Sequence, residues 1–158
     1  MTLVRVFSVE NKLAQIATEP GGRTIEHALR AAADGIEGVR GASLASLMER
    51  VDKIAAFAAE GRASGDLEAF KGIYDLSNAV FGIASTFDLT AMAEAAFSLC
   101  DLADAFRGGE PVSWPAIDVH VDGLRLLATL GDKAGAAGAE SILDGLRRVR
   151  ARVLPPTP

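Results

Sequence analysis

One cysteine, Cys100, is too few for an internal disulfide and fits a reducing compartment. The only two histidines, His27 and His120, stand far from each other and from the cysteine, so no metal-ligand cluster is expected. Aromatic residues make up 6% of the chain, against 49% hydrophobic residues rich in Ala and Leu, a balance that favours amphipathic helices over a β-sandwich. No apolar run reaches the roughly 18 residues of a membrane span. Met1–Glu10 also lacks the charged-then-apolar layout of a secretory signal. A cytoplasmic protein with no membrane partner is the expectation. The net charge of −5 argues against nucleic acid as a partner. No acid, base and nucleophile fall together at any helical spacing, so a metabolic enzyme fits worst and no cofactor is expected.

What is present is a series of helical stripes. With 158 residues the chain is long enough for one domain with a real core, expected over 1–154, with 155–158 as a frayed tail. Thr2–Phe7 reads as a short extended segment lying against the helices, and Asn11–Ala17 as a helical turn before Pro20-Gly21-Gly22. Thr24 caps a helix to about Val39 with Ile25, Leu29, Ala32, Ile36 and Val39 inward. Gly41 ends or bends it, and Ser43 caps the next helix, to about Glu60, with Met48 at core spacing. Asp66 caps a helix to about Asp88 whose apolar side is Leu67, Phe70, Ile73, Leu76, Val80, Ala84 and Phe87. Further helices follow from Leu89 to Phe106, from Ser113-Trp114-Pro115 to Gly131-Asp132, and from about Ala136 to Val153. The last ends in Arg147, Arg148, Arg150 and Arg152, expected as a solvated, dipole-matched terminus. Six helices with short links make an all-α antiparallel bundle. Gly35, Gly38, Gly72, Gly123 and Gly145 inside helices each cost roughly 1 kcal/mol against Ala, and close helix approach is the expected compensation.

Between Asp66 and Phe106 lies a helix pair with an unusual outer strip. Steps of three and four residues put Lys71, Asp75, Asn78, Gly82 and Ser85 on one face. Tyr74 either packs in the bundle or flanks this strip, and Phe81 adds an apolar residue to it. A small, polar, glycine-bearing face on a well-packed helix suits the close approach of another protein.

The residues Asn78-Ala79-Val80-Phe81-Gly82, the bend Thr86-Phe87-Asp88-Leu89, and the later Ser98-Leu99-Cys100 give the chain a resemblance to histidine-containing phosphotransfer (Hpt) domains. It is most similar to alphaproteobacterial Hpt-like proteins with a Thr-Phe-Gly bend, a Ser-Leu-Cys and a His-Val-Asp-x-Leu-Arg, the last present as His120 to Arg125. The likeness is strongest over residues 70–130. It implies a four-helix core with additional N-terminal helices, and a face that docks a receiver domain or a histidine kinase. The family's phospho-accepting His falls on Asn78, its basic residue on Phe81 and its bend glycine on Asp88. An amide cannot act as the imidazole nucleophile does, so the resemblance implies a degenerate module that binds without transfer.

Three readings follow. One is a non-catalytic Hpt-like signalling module with Lys71, Tyr74, Asp75, Asn78, Phe81, Gly82 and Ser85 as its partner-binding face. Another keeps phosphotransfer and moves it to His27, which heads a His-x-Leu-basic run, or to His120. The third is a homodimeric scaffold, suggested by the small residues at Ala31–Ala33 and Ala134–Ala139. For Cys100 an inert thiol is expected, and for His120 a structural hydrogen bond to another helix.

Overall fold

In the computed structural model the described residues are Lys12, Ala14, 21–130 and 135–154. They form α1 (Ile25–Ser64), α2 (Ala69–Thr86), α3 (Thr90–Arg107), α4 (Trp114–Leu130) and α5 (Gly135–Val153). The protein is an all-α helical bundle. The extended segment expected at Thr2–Phe7, most of the turn at Asn11–Ala17, the helix end at Gly131-Asp132 and the tail at 155–158 lie outside the described residues. Lys12 and Ala14 are helical. The chain divides into two units, residues 1–39 and 40–158.

The two helices expected on either side of Gly41 are one helix of 40 residues. Thr24 caps its start as expected, its Oγ1 accepting the His27 backbone N–H at 3.2 Å. Ser43 does not cap a second helix. Its carbonyl accepts the Ser46 hydroxyl at 2.7 Å, and the Ser46 carbonyl in turn accepts Arg50 Nη1 at 3.1 Å. The Ser46 hydroxyl folds back on the existing helix, which runs unbroken through Gly41. The stripe Ile25, Leu29, Ile36 and Val39, expected inward, is solvent-exposed, from 46% at Ile36 to 81% at Ile25.

Within residues 40–158 the core is built around α3, which packs against α2, α4 and α5. Its inner face, Met92, Ala95, Ala96, Leu99, Leu102, Ala103 and Phe106, meets Phe70, Ile73, Val80 and Ala84 of α2 and Ile117, Val121 and Leu124 of α4. Leu47, Val51, Ile54 and Ala58 of α1 and Leu143 and Leu146 of α5 complete it. Phe70 stacks on Trp114 at 4.7 Å and meets Phe106 edge-on at 5.5 Å. Two expected core members are exposed. Leu67 lies in the turn before α2 (52%), where only its carbonyl is used, by Phe70 N–H, and Met48 is at 37%.

Close approach repays some of the helix glycines and not others. A Cβ on Gly72 would stand 3.0 Å from the Phe57 ring, and one on Gly123 3.2 Å from Leu146. Gly61, which carried no expectation, is the tightest: a Cβ there would meet Ala69 Cβ at 2.5 Å and Trp114 at 2.7 Å. Gly35, Gly38 and Gly145 have nothing within 4 Å of that position, so close packing does not explain them.

The ends of α2 and α3 share one geometry. At the end of α3 the Glu110 N–H reaches back to the Ala105 carbonyl at 3.0 Å, with Gly109 at φ +106°. At the end of α2 the Leu89 N–H reaches the Ala84 carbonyl at 2.9 Å, and the left-handed position is held by Asp88 at φ +58°. Both are six-to-one Schellman closures. Asp66, expected to cap α2, does not: its Oδ1 accepts the Glu68 N–H at 2.9 Å in the preceding turn, and α2 begins at Ala69 with Glu68 at the N-cap and no side-chain cap bond. The C-terminal arginines are not merely solvated. Arg147 binds Glu94 at 2.7 Å and Arg150 binds Asp101 at 2.9 Å, tying α5 to α3. Arg62–Asp118 and Arg125–Asp52 tie α1 to α4.

Candidate functional site

The outer face of α2 carries the strip at the spacing the sequence indicates. Lys71, Asp75, Asn78, Gly82 and Ser85 are all exposed, while Ile73, Ser77, Val80 and Ala84 turn inward. Lys71 Nζ and Asp75 Oδ2 pair at 3.1 Å across one helical turn. With both side chains more than half exposed, such a pair adds only about 0.3–0.5 kcal/mol and leaves the strip close to neutral there. Tyr74 is half-buried. The Arg107 guanidinium lies 5.9 Å from its ring centre, and its carbonyl is within 3.9 Å of Cys100 Sγ. Tyr74 therefore borders the strip with one edge and packs with the other.

Gly82 differs from the glycines that face a neighbouring helix. It is exposed, it lies inside α2, and a Cβ there would meet nothing within 4 Å. Its carbonyl accepts both a helix bond and the Thr86 hydroxyl at 2.8 Å. Among the described residues no neighbour packs on Gly82 to offset the roughly 1 kcal/mol that glycine costs a helix.

Beside it the strip is apolar. Phe81, 37% exposed, meets Phe97 of α3 at 5.8 Å between ring centres, and Phe97 is 53% exposed. Two partly exposed phenylalanines in contact are a patch rather than scattered surface carbon. Phe97 is the one member of this face that the sequence stripe leaves out. It falls off the Leu89, Met92, Ala96, Leu99 line, and a large apolar residue off the buried line was itself the available signal.

Chemically the face has little to offer. Asn78 is exposed at its centre, and its amide is no nucleophile for phosphoryl transfer. The two histidines lie elsewhere. His27 is exposed in the first turn of α1. His120 has no exposed surface: Nδ1–H donates to the Ala116 carbonyl at 2.8 Å and Nε2 accepts the Ser98 hydroxyl at 2.9 Å. Burial lowers its pKa below the usual imidazole value, with the Ala116 hydrogen bond opposing and the Arg150 charge reinforcing the shift. Both nitrogens of a buried, neutral ring are in use, so an external phosphoryl donor has no route to His120 in this arrangement. The Cys100 thiol is pushed up to about 11 by burial and then by Asp101 and Asp104, which keeps it in the unreactive protonated form.

A second concave feature, a cavity of about 500 Å³, opens where the α2–α3 bend meets α1, α4 and α5. Its walls are chiefly Leu44, Leu47, Met48, Leu89, Met92 and Leu127, with Arg40 and Asp88 at the edge. Thr90 and Asp88 are its hydroxyl and carboxylate, with no histidine or cysteine among the lining residues. Among the described residues no group of three or more His, Cys, Asp or Glu is placed to hold a metal ion, and no helix is long and apolar enough to cross a membrane. No protein-family model, no curated protein and no solved structure matches the chain.

Proposed function

We propose that this chain is a non-catalytic Hpt-like signalling module that docks a receiver domain or a histidine kinase through the outer face of α2 and modulates a two-component phosphorelay. The observation that carries the proposal is Gly82. A helix-interior glycine with open space above it weakens the helix with no internal return, and a partner backbone seated there is a physical reason to keep it. The Phe81–Phe97 patch supplies the apolar area that such a contact needs, and Asn78 with Ser85 supplies polar contacts that do not titrate. The absence of an imidazole at position 78 makes the contact one of binding alone.

The test is direct binding of the purified chain to receiver domains and to kinase dimerisation domains, measured by calorimetry. Binding that falls at least about tenfold in Gly82→Arg and in Phe97→Ala, each removing about 1.4 kcal/mol or more, supports the reading. Binding that both variants leave unchanged would place the partner on another surface. Incubation of the wild type with a phosphorylated kinase or receiver is the second arm. Acid-labile phosphate on the wild type would overturn the non-catalytic reading and point to the exposed His27.

A further inference from the structure

The two ends of the bundle in residues 40–158 are filled differently. Where α2 and α4 begin and α3 ends, Phe70, Phe106 and Trp114 pack ring against ring. At the other end, where α2 and α4 finish and α3 and α5 begin, lies the cavity of about 500 Å³. There α4 and α5 contribute Ala128, Gly135, Ala136 and Ala139 beside Leu127, and no aromatic side chain lines the space. Protein interiors seldom leave a void much larger than a water molecule, and small side chains in one layer produce one. Apart from Met1 the chain has two methionines, Met48 and Met92, and both stand on the wall. Met48, at core spacing yet 37% exposed, faces this space.

We propose that the cavity binds a medium-chain fatty acid, with its alkyl chain among the leucines and methionines and its carboxylate at Arg40. The volume falls within the roughly 300–1,000 Å³ of small-molecule sites. Thioether side chains are unbranched and polarisable, so the two methionines adapt to a flexible chain better than branched residues would. The polar side chains of the lining are Arg40, Asp88 and Thr90 alone, which suits a ligand with one polar end. Arg40 and Thr90 donate hydrogen bonds, and Asp88 accepts them. A carboxylate head therefore finds two donors, whereas an ammonium head finds one exposed acceptor. The Arg40 guanidinium is held over the Phe87 ring at 5.3 Å. A guanidinium fork serves several acceptors at once, as Arg147 does with Glu94, Glu140 and Asp144. The inference does not rest on the docking face of α2.

Titration of the full chain with decanoate tests it, read by calorimetry and by the NMR signals of the Met48 and Met92 methyl groups. Saturable binding of one decanoate per chain that shifts both methyl signals is expected. Each methylene removed, from decanoate to octanoate, weakens it about fourfold. Ala128→Leu with Ala139→Leu fills the hollow and weakens binding at least about tenfold, while the melting temperature holds or rises. Arg40→Gln, at the rim, leaves the walls intact; it weakens decanoate but not decanol, and Asp88→Asn tightens decanoate. No saturable binding, methyl signals that stay in place, or an affinity indifferent to chain length overturns the proposal. So does full affinity in the folded double Leu variant. Decanol or decylamine binding as tightly as decanoate overturns the assignment of the head to Arg40.

Discussion

Lowering the pH should weaken this protein through one residue. His120 is fully buried, holds a single neutral tautomer between Ala116 and Ser98, and has its pKa lowered from 6.5 chiefly by desolvation. As pH falls the unfolded chain takes up the proton first, because its imidazole keeps the ordinary value. The unfolded state then binds more protons than the folded one, so stability rises with pH across this window. The contribution is fully present above pH 6.5 and is lost as pH drops below that value toward the folded-state pKa. Each pH unit inside the window removes up to about 1.4 kcal/mol. Between about pH 7.5 and about pH 5.5 the unfolded-state uptake alone comes to at most about 1.4 kcal/mol. With a urea slope of about 1–3 kcal/mol/M, the midpoint should fall by at most about 0.5–1.4 M. The assay is urea unfolding of wild type and His120→Gln at both pH values. The variant starts from a lower midpoint but loses less between the two, and the difference between the two losses isolates His120. Parallel losses would refute the reasoning. So would a His120 ring-proton NMR signal in the folded wild type that titrates near 6.5.

Four further outcomes can be measured on single variants. Gly61→Ala forces a methyl group into Ala69 and Trp114 and should cost about 1–3 kcal/mol in urea unfolding. Asp88→Gly relieves the left-handed residue in the α2 closure and should raise stability by about 0.5–1 kcal/mol, seen as a higher melting temperature. Ser77→Ala removes a buried hydroxyl that has no hydrogen-bond partner and should be neutral or stabilising by up to about 1 kcal/mol in the same melt. Asn78→His combined with Phe81→Lys restores a nucleophile and a cation to the exposed face, and the double variant should take up acid-labile phosphate from a kinase or receiver that leaves the wild type unlabelled.

Where chain periodicity and capping chemistry agreed, the sequence was legible. Thr24 and the Gly108-Gly109 end of α3 act as their residue types indicate. The outer strip of α2 is legible for the same reason, since helical geometry alone fixes which residues share a face. Gly41 was not legible, because whether a glycine stops a helix depends on whether nearby side chains cap a new one, and the Ser46 hydroxyl bonds back within the same helix instead. The stripe at Ile25–Val39 shows a different limit: an apolar face gives a direction and not a neighbour. Phe97 shows a third: its place off the buried line of α3 is a signal in the sequence, but its contact with Phe81 across the helix pair is not. The ties from Arg147 and Arg150 to α3 were hidden likewise, being set by tertiary approach.

The exposed amide of Asn78 has a quantitative consequence. A phosphate carrier is regenerated at every cycle, so a few copies can serve many partners. On the proposed docking reading, a surface with an amide at its centre has no cycle to complete and would act only while it occupies its target. Any influence it exerts must then scale with copy number and saturate at stoichiometric dose. Doubling its expression would move the response along a binding isotherm instead of multiplying a rate.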